Sequence, residues 1–338
     1  MSEIDVIAPN LKRRLSGVTA TVVRLIPVQA RMIGIVATGP GLPEDVPHVP
    51  LWRVPFLPRR PRVWHARRNS DLLAGVILKR VFRMALRMVF TSSSPRERSG
   101  WTRWLVSHCD RLVATAPKNA AVMPMPCTII PHGVDTQVFQ PQPRGFFGRP
   151  DTRLIGCFGR VRDKKGTADF VTALCQVLPQ RPGWGGVIMG RIQAKDEGFA
   201  AGLRAQIAQA GLADRIVFHA EAALAQMPQA YSDLAIYVAP SHLEGFGLTP
   251  IEAMACGVPV VATRGVGAFD DQVEDGVTGH LVSAAAPDQL AEVLAGMIDA
   301  PVPLAAMAGV ARAHVEARFS LRGEAEALNA LYRDLLAT

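Results

Sequence analysis

Apolar runs of strand length recur along this chain, several ending at a glycine or proline turn and most followed by a stretch of helical length. The clearest is Leu234-Ala-Ile-Tyr-Val-Ala239, broken by Pro240-Ser241 and followed by Glu244-Gly-Phe-Gly-Leu-Thr-Pro-Ile-Glu252, whose second half reads as a helix start. Strands that alternate with helices build parallel sheets, and such sheets bind ligands at the carboxyl ends of their strands. The chain is therefore expected to be α/β.

Two such units are expected in a chain of 338 residues, which is long for a single core. The first opens with strand Ile4–Pro9, a basic turn from Asn10 to Gly17, and a helix from Val18 to Gln29. Further strands are expected at Arg31–Ala37, Pro47–Val54, Arg62–His65, Arg87–Thr91 and Arg111–Thr115, with Thr128–Pro131 closing the unit. Gln140-Pro-Gln-Pro-Arg-Gly reads as a linker. The second unit starts with strand Arg153–Phe158 and continues through Gly186–Met189, Arg215–His219, Leu234–Ala239 and Val258–Thr263, and Leu321–Ala337 forms one amphipathic helix. Residues 1–140 and 150–320 are the two expected domains, with 321–338 a C-terminal helix.

Hydrophobic residues make up 49% of the chain and charged residues 20%, which is the composition of a globular protein rather than a disordered one. The five scattered cysteines have neither metal-ligand spacing nor the even number of a disulfide framework. No basic-then-apolar leader is legible at Met1-Ser-Glu-Ile-Asp, and no apolar stretch reaches the roughly 18 residues of a membrane span. A cytoplasmic location is the expectation, with peripheral attachment to the cytoplasmic face of the membrane. Charge is divided unequally: residues 1–140 carry 20 Lys and Arg against 8 Asp and Glu, and residues 141–338 carry 17 against 21. A basic first unit suits an anionic partner. Aromatic and basic residues are interleaved around Trp101 and Trp104, but no recognised nucleic-acid motif accompanies them, so nucleic acid is not an expected partner.

The segment from Glu244 to Glu252 carries the most specific chemistry. Its glycines let backbone N–H groups approach a ligand, and the helix start that follows favours anionic oxygens. A carboxylate accepts hydrogen bonds from two hydroxyls at once, as sugars require. Phosphate-binding amides beside hydroxyl-binding acids suggest a sugar nucleotide.

This segment resembles the paired-glutamate motif of the retaining GT-B glycosyltransferases of family 4. Four more fragments follow in family order: Ile130-Pro-His132-Gly-Val-Asp135, Cys157-Phe-Gly-Arg160-Val-Arg-Asp-Lys-Lys165-Gly166, Ala255-Cys-Gly257-Val-Pro259 through Thr263, and Asp275-Gly276 through Val282. The resemblance implies the GT-B fold, two Rossmann-like parallel-sheet domains facing a cleft, with acceptor bound by the first and nucleotide sugar by the second. It assigns Arg160 and Lys165 to the donor diphosphate, where two cations offset charge on the leaving group. Read alone, both could belong to a solvated basic loop, as Arg162 and Lys164 beside them are expected to. Glu252 carries over as the ribose acid and Glu244 as a contact to the donor sugar, with the amides of Phe246, Gly247 and Leu248 as donors to phosphate or sugar oxygens. Gly17 is implied at the donor phosphate, although Ser16-Gly17 also reads as a plain helix-start turn. His65 is implied beside the donor sugar, or is a structural histidine at a strand end. Arg67 and Arg68 suit an anionic acceptor, and His132 reads as a junction residue. No metal or other cofactor is expected: there is no Asp-x-Asp in the chain, and Arg160 and Lys165 would take a metal's place.

Ala8-Pro-Asn-Leu-Lys-Arg-Arg-Leu-Ser-Gly-Val-Thr19 and Val63-Trp-His-Ala-Arg-Arg-Asn69 are similar to the lipopolysaccharide inner-core mannosyltransferases within that family. That similarity implies GDP-mannose, or another nucleotide mannose, as donor and an acidic lipid-linked glycan as acceptor. Ala74–Phe90 reads as a basic amphipathic helix, with Arg80, Arg83 and Arg87 on one face, able to lie on anionic lipid or to cover the core. Two other functions fit parts of the pattern. A sugar-nucleotide epimerase on the same fold would leave the basic first unit without a role, and a non-enzymatic anionic-membrane-binding protein would leave the acidic and basic set without one.

Overall fold

The computed structural model describes residues 3–12, 17–299 and 304–338. The chain divides into two compact units, Met1–Gly133 with Leu321–Thr338, and Val134–Ser320.

The first unit is a six-stranded parallel sheet between helices. Its elements are β1 (Val6–Pro9), α1 (Gly17–Gln29), β2 (Ile35–Thr38), β3 (Arg62–Ala66), α2 (Asn69–Arg80), β4 (Leu86–Ser92), α3 (Gly100–Val106), β5 (Arg111–Ala114), α4 (Pro117–Ala120) and β6 (Thr128–Ile129). The strand order is β2-β1-β3-β4-β5-β6, so the order reverses between β1 and β3. One face packs Val6, Ala8, Val63 and Val89 against Val22, Leu25 and Ile26 of α1 and Leu321, Leu328 and Tyr332 of the C-terminal helix Leu321–Ala337. The other packs Ile7, Trp64, Met88 and Phe90 against Leu72 and Val76 of α2, Leu105 and Val106 of α3, and Val54. Each fully buried side chain of this size contributes about 1.5–3 kcal/mol relative to exposure. Polar ties reinforce the C-terminal helix: Gln29 Nε2 donates to Asn329 Oδ1 at 2.8 Å, and Glu324 accepts from Gly133 N and pairs with His132 Nδ1, both at 2.8 Å.

Two expected elements are corrected. Pro47–Val54 is not a strand: the segment carries a 3-10 turn over Leu51–Phe56, and only the bridge between Ala37 and His48 touches the sheet. Prolines at 47, 50, 55 and 58 have no N–H to give a ladder. Ala74–Phe90 is not one helix either. The helix ends at Arg80, Arg83 takes a left-handed φ of 51°, and Leu86–Ser92 leaves as β4, registered against β3 from Arg62↔Leu86 to Ala66↔Phe90. Arg87 therefore stands on a strand, off the helical face expected for it, and with Lys79 it meets Asp110 at 3.9 and 3.6 Å respectively.

The second unit repeats the architecture. It contains β7 (Arg153–Phe158), α5 (Thr167–Val177), β8 (Trp184–Met189), α6 (Glu197–Gln209), β9 (Ile216–His219), α7 (Met227–Ser232), β10 (Leu234–Ala239), α8 (Thr249–Ala255), β11 (Val260–Thr263), α9 (Phe269–Gln272), β12 (Gly279–Val282), α10 (Pro287–Asp299) and α11 (Leu304–Arg318). The order β12-β11-β10-β7-β8-β9 is parallel throughout and reverses between β7 and β10. The five cysteines are free, and burial pushes the thiols of Cys109, Cys157 and Cys256 up to about 12, which leaves them inert as nucleophiles.

Candidate functional site

In an open parallel sheet the crevice for ligands lies where the strand order reverses, because the loops on either side leave in opposite directions. In the second unit that point is between β7 and β10. The loop after β7 is held at its start, with Gly159 N donating to Met189 O at 2.8 Å and Val161 N to Arg191 O at 3.1 Å. Arg160 lies between these anchors, exposed. The loop then makes a short 3-10 turn, Asp163–Lys165, and closes at Gly166 with φ 64°. A Cβ at Gly166 would run into Pro240 O, so only glycine lets this loop press against the end of β10. His242 N donates to Lys164 O at 3.1 Å, and His242 Nε2 meets Asp169 Oδ2 at 2.7 Å.

That closeness brings Lys165 onto Glu244: Lys165 Nζ donates to Glu244 Oε1, and Ser241 Oγ donates to the same oxygen at 3.1 Å. The two charged side chains remain 21% and 19% exposed, so the pair faces solvent rather than the core. Of the neighbours expected in a solvated loop, Lys164 is exposed, but Arg162 is half-buried with its Nε out of solvent.

The Glu244–Glu252 segment turns back over α9. Gly247 has φ 83°, a Cβ there would collide with the Phe269 ring, and Gln272 Nε2 donates to Gly247 O at 2.9 Å. Phe246 is buried, so its side chain is an anchor, and its carbonyl accepts from Ala268 N at 3.0 Å. Leu248 caps α8, and Glu252 sits in that helix's first turn. Glu252 is only 6% exposed and accepts from Tyr231 Oη at 3.0 Å. Tyr231 packs with Phe158 and Tyr237, ring centroids 5.0 and 5.4 Å apart. Burial, and then the Glu252 charge, hold the Tyr231 phenol well above its ordinary range, so it stays a donor and aims one carboxylate oxygen. Tyr231 and Ser241 were not singled out from the sequence. Ser241 at least adjoined the motif, whereas Tyr231 lies 21 residues before Glu252 in a stretch with no pattern.

The remaining candidates lie in the first unit. Gly17 opens α1, and Ser16 before it falls outside the described residues. His65 is fully buried on β3. Its nitrogens meet protein hydroxyls: Nδ1 meets Tyr332 Oη and Nε2 meets Thr91 Oγ1, the latter at 2.6 Å. Burial, with the charges of Arg67 and His132, holds the ring well below its ordinary value, so it is neutral. Arg67 and Arg68 follow β3 at the first unit's own reversal point. Arg68 Nη1 donates across it to Asn10 Oδ1 at 2.8 Å. Arg67 is half-buried, and its Nε and Nη1 are out of solvent with no hydrogen-bond partner among the described residues. His132 bridges Glu324 and Ser93 Oγ, the latter at 2.9 Å, as a structural residue would. Among the described residues no three His, Cys, Asp or Glu side chains come together as a metal ion would need.

Residues 141–313 match the family described as glycosyl transferases group 1. Over 99% of its length the chain is 43% identical to 97% of the lipopolysaccharide core biosynthesis mannosyltransferase LpcC of Rhizobium leguminosarum bv. viciae. It is 42% identical, over 99% of its length and 98% of that protein, to the lipopolysaccharide core biosynthesis mannosyltransferase LpsB of Rhizobium meliloti. Among solved structures, Anabaena Alr3699/HepE in complex with UDP superposes on 98% of this chain and 100% of its own with a TM-score of 0.83 at 17% identity. That likeness concerns the fold, which is GT-B.

Proposed function

Since this chain belongs to the glycosyl transferases group 1 family, we propose that it moves mannose from a nucleotide-mannose donor, GDP-mannose, to an anionic lipid-linked glycan of the lipopolysaccharide inner-core type, with retention of configuration and without a metal. The enzyme is a glycosyltransferase. The observation that carries the finer reading is the full-length likeness to core mannosyltransferases, taken together with the Lys165–Glu244 pair at the reversal point of the second sheet.

In this reading Arg160 and Lys165 hold the donor diphosphate, and their charge counts most as the leaving group gains charge. Glu252, aimed by Tyr231, accepts from ribose hydroxyls, and Glu244 accepts from the hexose. The backbone of Phe246, Gly247 and Leu248 offers N–H groups to phosphate or sugar oxygens. Retention follows if the leaving diphosphate stays on the reacting face and takes the acceptor proton, so that the protein supplies orientation rather than a nucleophile. Arg67, with N–H groups lacking partners among the described residues, suits an acidic group of the acceptor. His65 acts on the acceptor unit through packing, since both ring nitrogens are engaged. The working location is the cytoplasmic face of the membrane, with peripheral attachment through the basic first unit.

The test is a panel of nucleotide sugars incubated with the protein, with and without core-lipid acceptor. Consumption of GDP-mannose that requires acceptor supports the proposal. Acceptor-independent conversion means an epimerase, no consumption means a binding protein, and strict preference for another donor overturns the mannosyl assignment.

A further inference from the structure

One face of the first sheet is covered by α1 and the C-terminal helix. The other is covered by three elements, α2, α3 and the 3-10 turn Leu51–Phe56, whose inward residues Val54, Leu72, Val76 and Leu105 share one core cluster. The outward side of those three elements is unusual. Phe56 is 80% exposed and Trp52 67%, and on α2, just after it and on α3, Ile77, Phe82, Trp101 and Trp104 are also exposed. All three exposed tryptophans of the chain lie on these elements, while Trp64 and Trp184 are buried. Trp101 and Trp104 stack with centroids 5.0 Å apart. A Trp-Arg-x-Pro-Phe turn that exposes both aromatic rings gains nothing from folding in water, so its exposure calls for a partner.

The charge around it identifies that partner. Arg53 lies over the Trp52 ring at 4.9 Å, Arg80 of α2 and Arg103 of α3 are exposed, and so are Arg59 and Arg83, three residues beyond the turn and beyond α2. No Asp or Glu stands between Asp45 and Asp71, and Asp71 is buried. Exposed aromatic rings with arginines on and beside their elements, and no acid in the 25 residues around the turn itself, are the composition that settles into an anionic bilayer interface.

We propose that Leu51–Phe56 is a membrane wedge: Trp52 and Phe56 enter the interfacial layer of an anionic bilayer, while the arginines of α2, α3 and the turn itself hold lipid phosphates. This rests on the peripheral attachment proposed above and names the segment that inserts.

The experiment uses the full chain with Trp101→Phe and Trp104→Phe, which leaves Trp52 as the exposed tryptophan, and vesicles of phosphatidylglycerol with bromine-labelled phosphatidylcholine. Quenching and a blue shift of the Trp52 emission are expected on binding. Co-sedimentation is measured on the same samples. Protein that pellets with vesicles while Trp52 stays unquenched overturns the wedge and leaves peripheral attachment standing, whereas wild type that does not pellet overturns both. Trp52→Ser with Phe56→Ser touches only outward side chains and should lower vesicle partitioning roughly 10- to 100-fold with an unchanged melting temperature. Unaltered partitioning overturns the proposal. So does sedimentation showing a dimer that these substitutions dissolve, which would assign the face to a second copy of the chain.

Discussion

Lys165 and Glu244, 79 residues apart in the chain, pair at the carboxyl ends of two adjacent strands, β7 and β10. The contact exists because the strand order reverses between them and because Gly166 lets one loop lie against Pro240. A cation held by a carboxylate and still partly exposed can be passed to a diphosphate when the carboxylate turns to a hydroxyl.

Lys165→Ala and Arg160→Ala should therefore lower kcat by about 100-fold or more, while donor affinity falls about tenfold or less, because leaving-group charge grows in the transition state. Glu244→Gln keeps Lys165 and should spare nucleoside diphosphate binding while raising KM for the complete donor. Steady-state kinetics with calorimetry on donor and diphosphate checks both. Chelators should leave activity intact, and strict dependence on added Mn²⁺ or Mg²⁺ would overturn the metal-free reading.

Glu252→Ala should weaken nucleotide binding roughly 10- to 100-fold, the worth of hydrogen bonds to a charged group in a buried setting. Tyr231→Phe leaves the carboxylate in place but unaimed, and should cost only several-fold. Calorimetry with the bare nucleoside diphosphate ranks the two variants; equal affinity for wild type and Glu252→Ala removes this residue from the site.

Below its ordinary value of 6.5, His65 takes up a proton in the unfolded chain, but burial keeps it neutral in the folded one. The unfolded state then binds more protons, so the stability from this group is complete above pH 6.5 and is lost as pH falls toward the lowered folded value. The slope is about 1.4 kcal/mol per pH unit. Urea unfolding across this range should show the acid-side loss in wild type and a shallower one in His65→Gln. An identical slope in both would mean that the ring does not titrate differently on unfolding.

Arg67→Gln should raise KM for an acidic acceptor and leave nucleotide affinity unchanged, if its guanidinium meets an acidic group of the acceptor. A neutral acceptor analogue should be used equally well by both proteins. Matching losses on acidic and neutral acceptors would make Arg67 a packing residue.

Much of the fold was legible because parallel strands advertise themselves locally. Leu234–Ala239 is apolar throughout, Arg153–Phe158 is apolar after its first residue, and a glycine or proline follows each, so their bounds read directly. The helix Leu321–Ala337 is similarly plain from its periodicity. Two segments misled because local patterns were ambiguous. Pro47–Val54 has the apolar content of a strand but lacks the N–H groups for one, and it became an exposed turn. In Ala74–Phe90 a helix and a strand abut without a strong breaker, and pairing of β4 with β3 decides where the helix stops.

By itself the sequence determined the alternation of strand, turn and helix and which residues stand at the strand ends, because periodicity and turn chemistry act over a few residues. Only the tertiary structure decided which of those residues meet. Tyr231 under Glu252, Lys165 on Glu244, His65 between Tyr332 and Thr91, and the outward rings of Trp52 and Phe56 all depend on strand order and on which face each element covers. Those are set by contacts between segments distant in the chain, which leave no mark in the residues on either side.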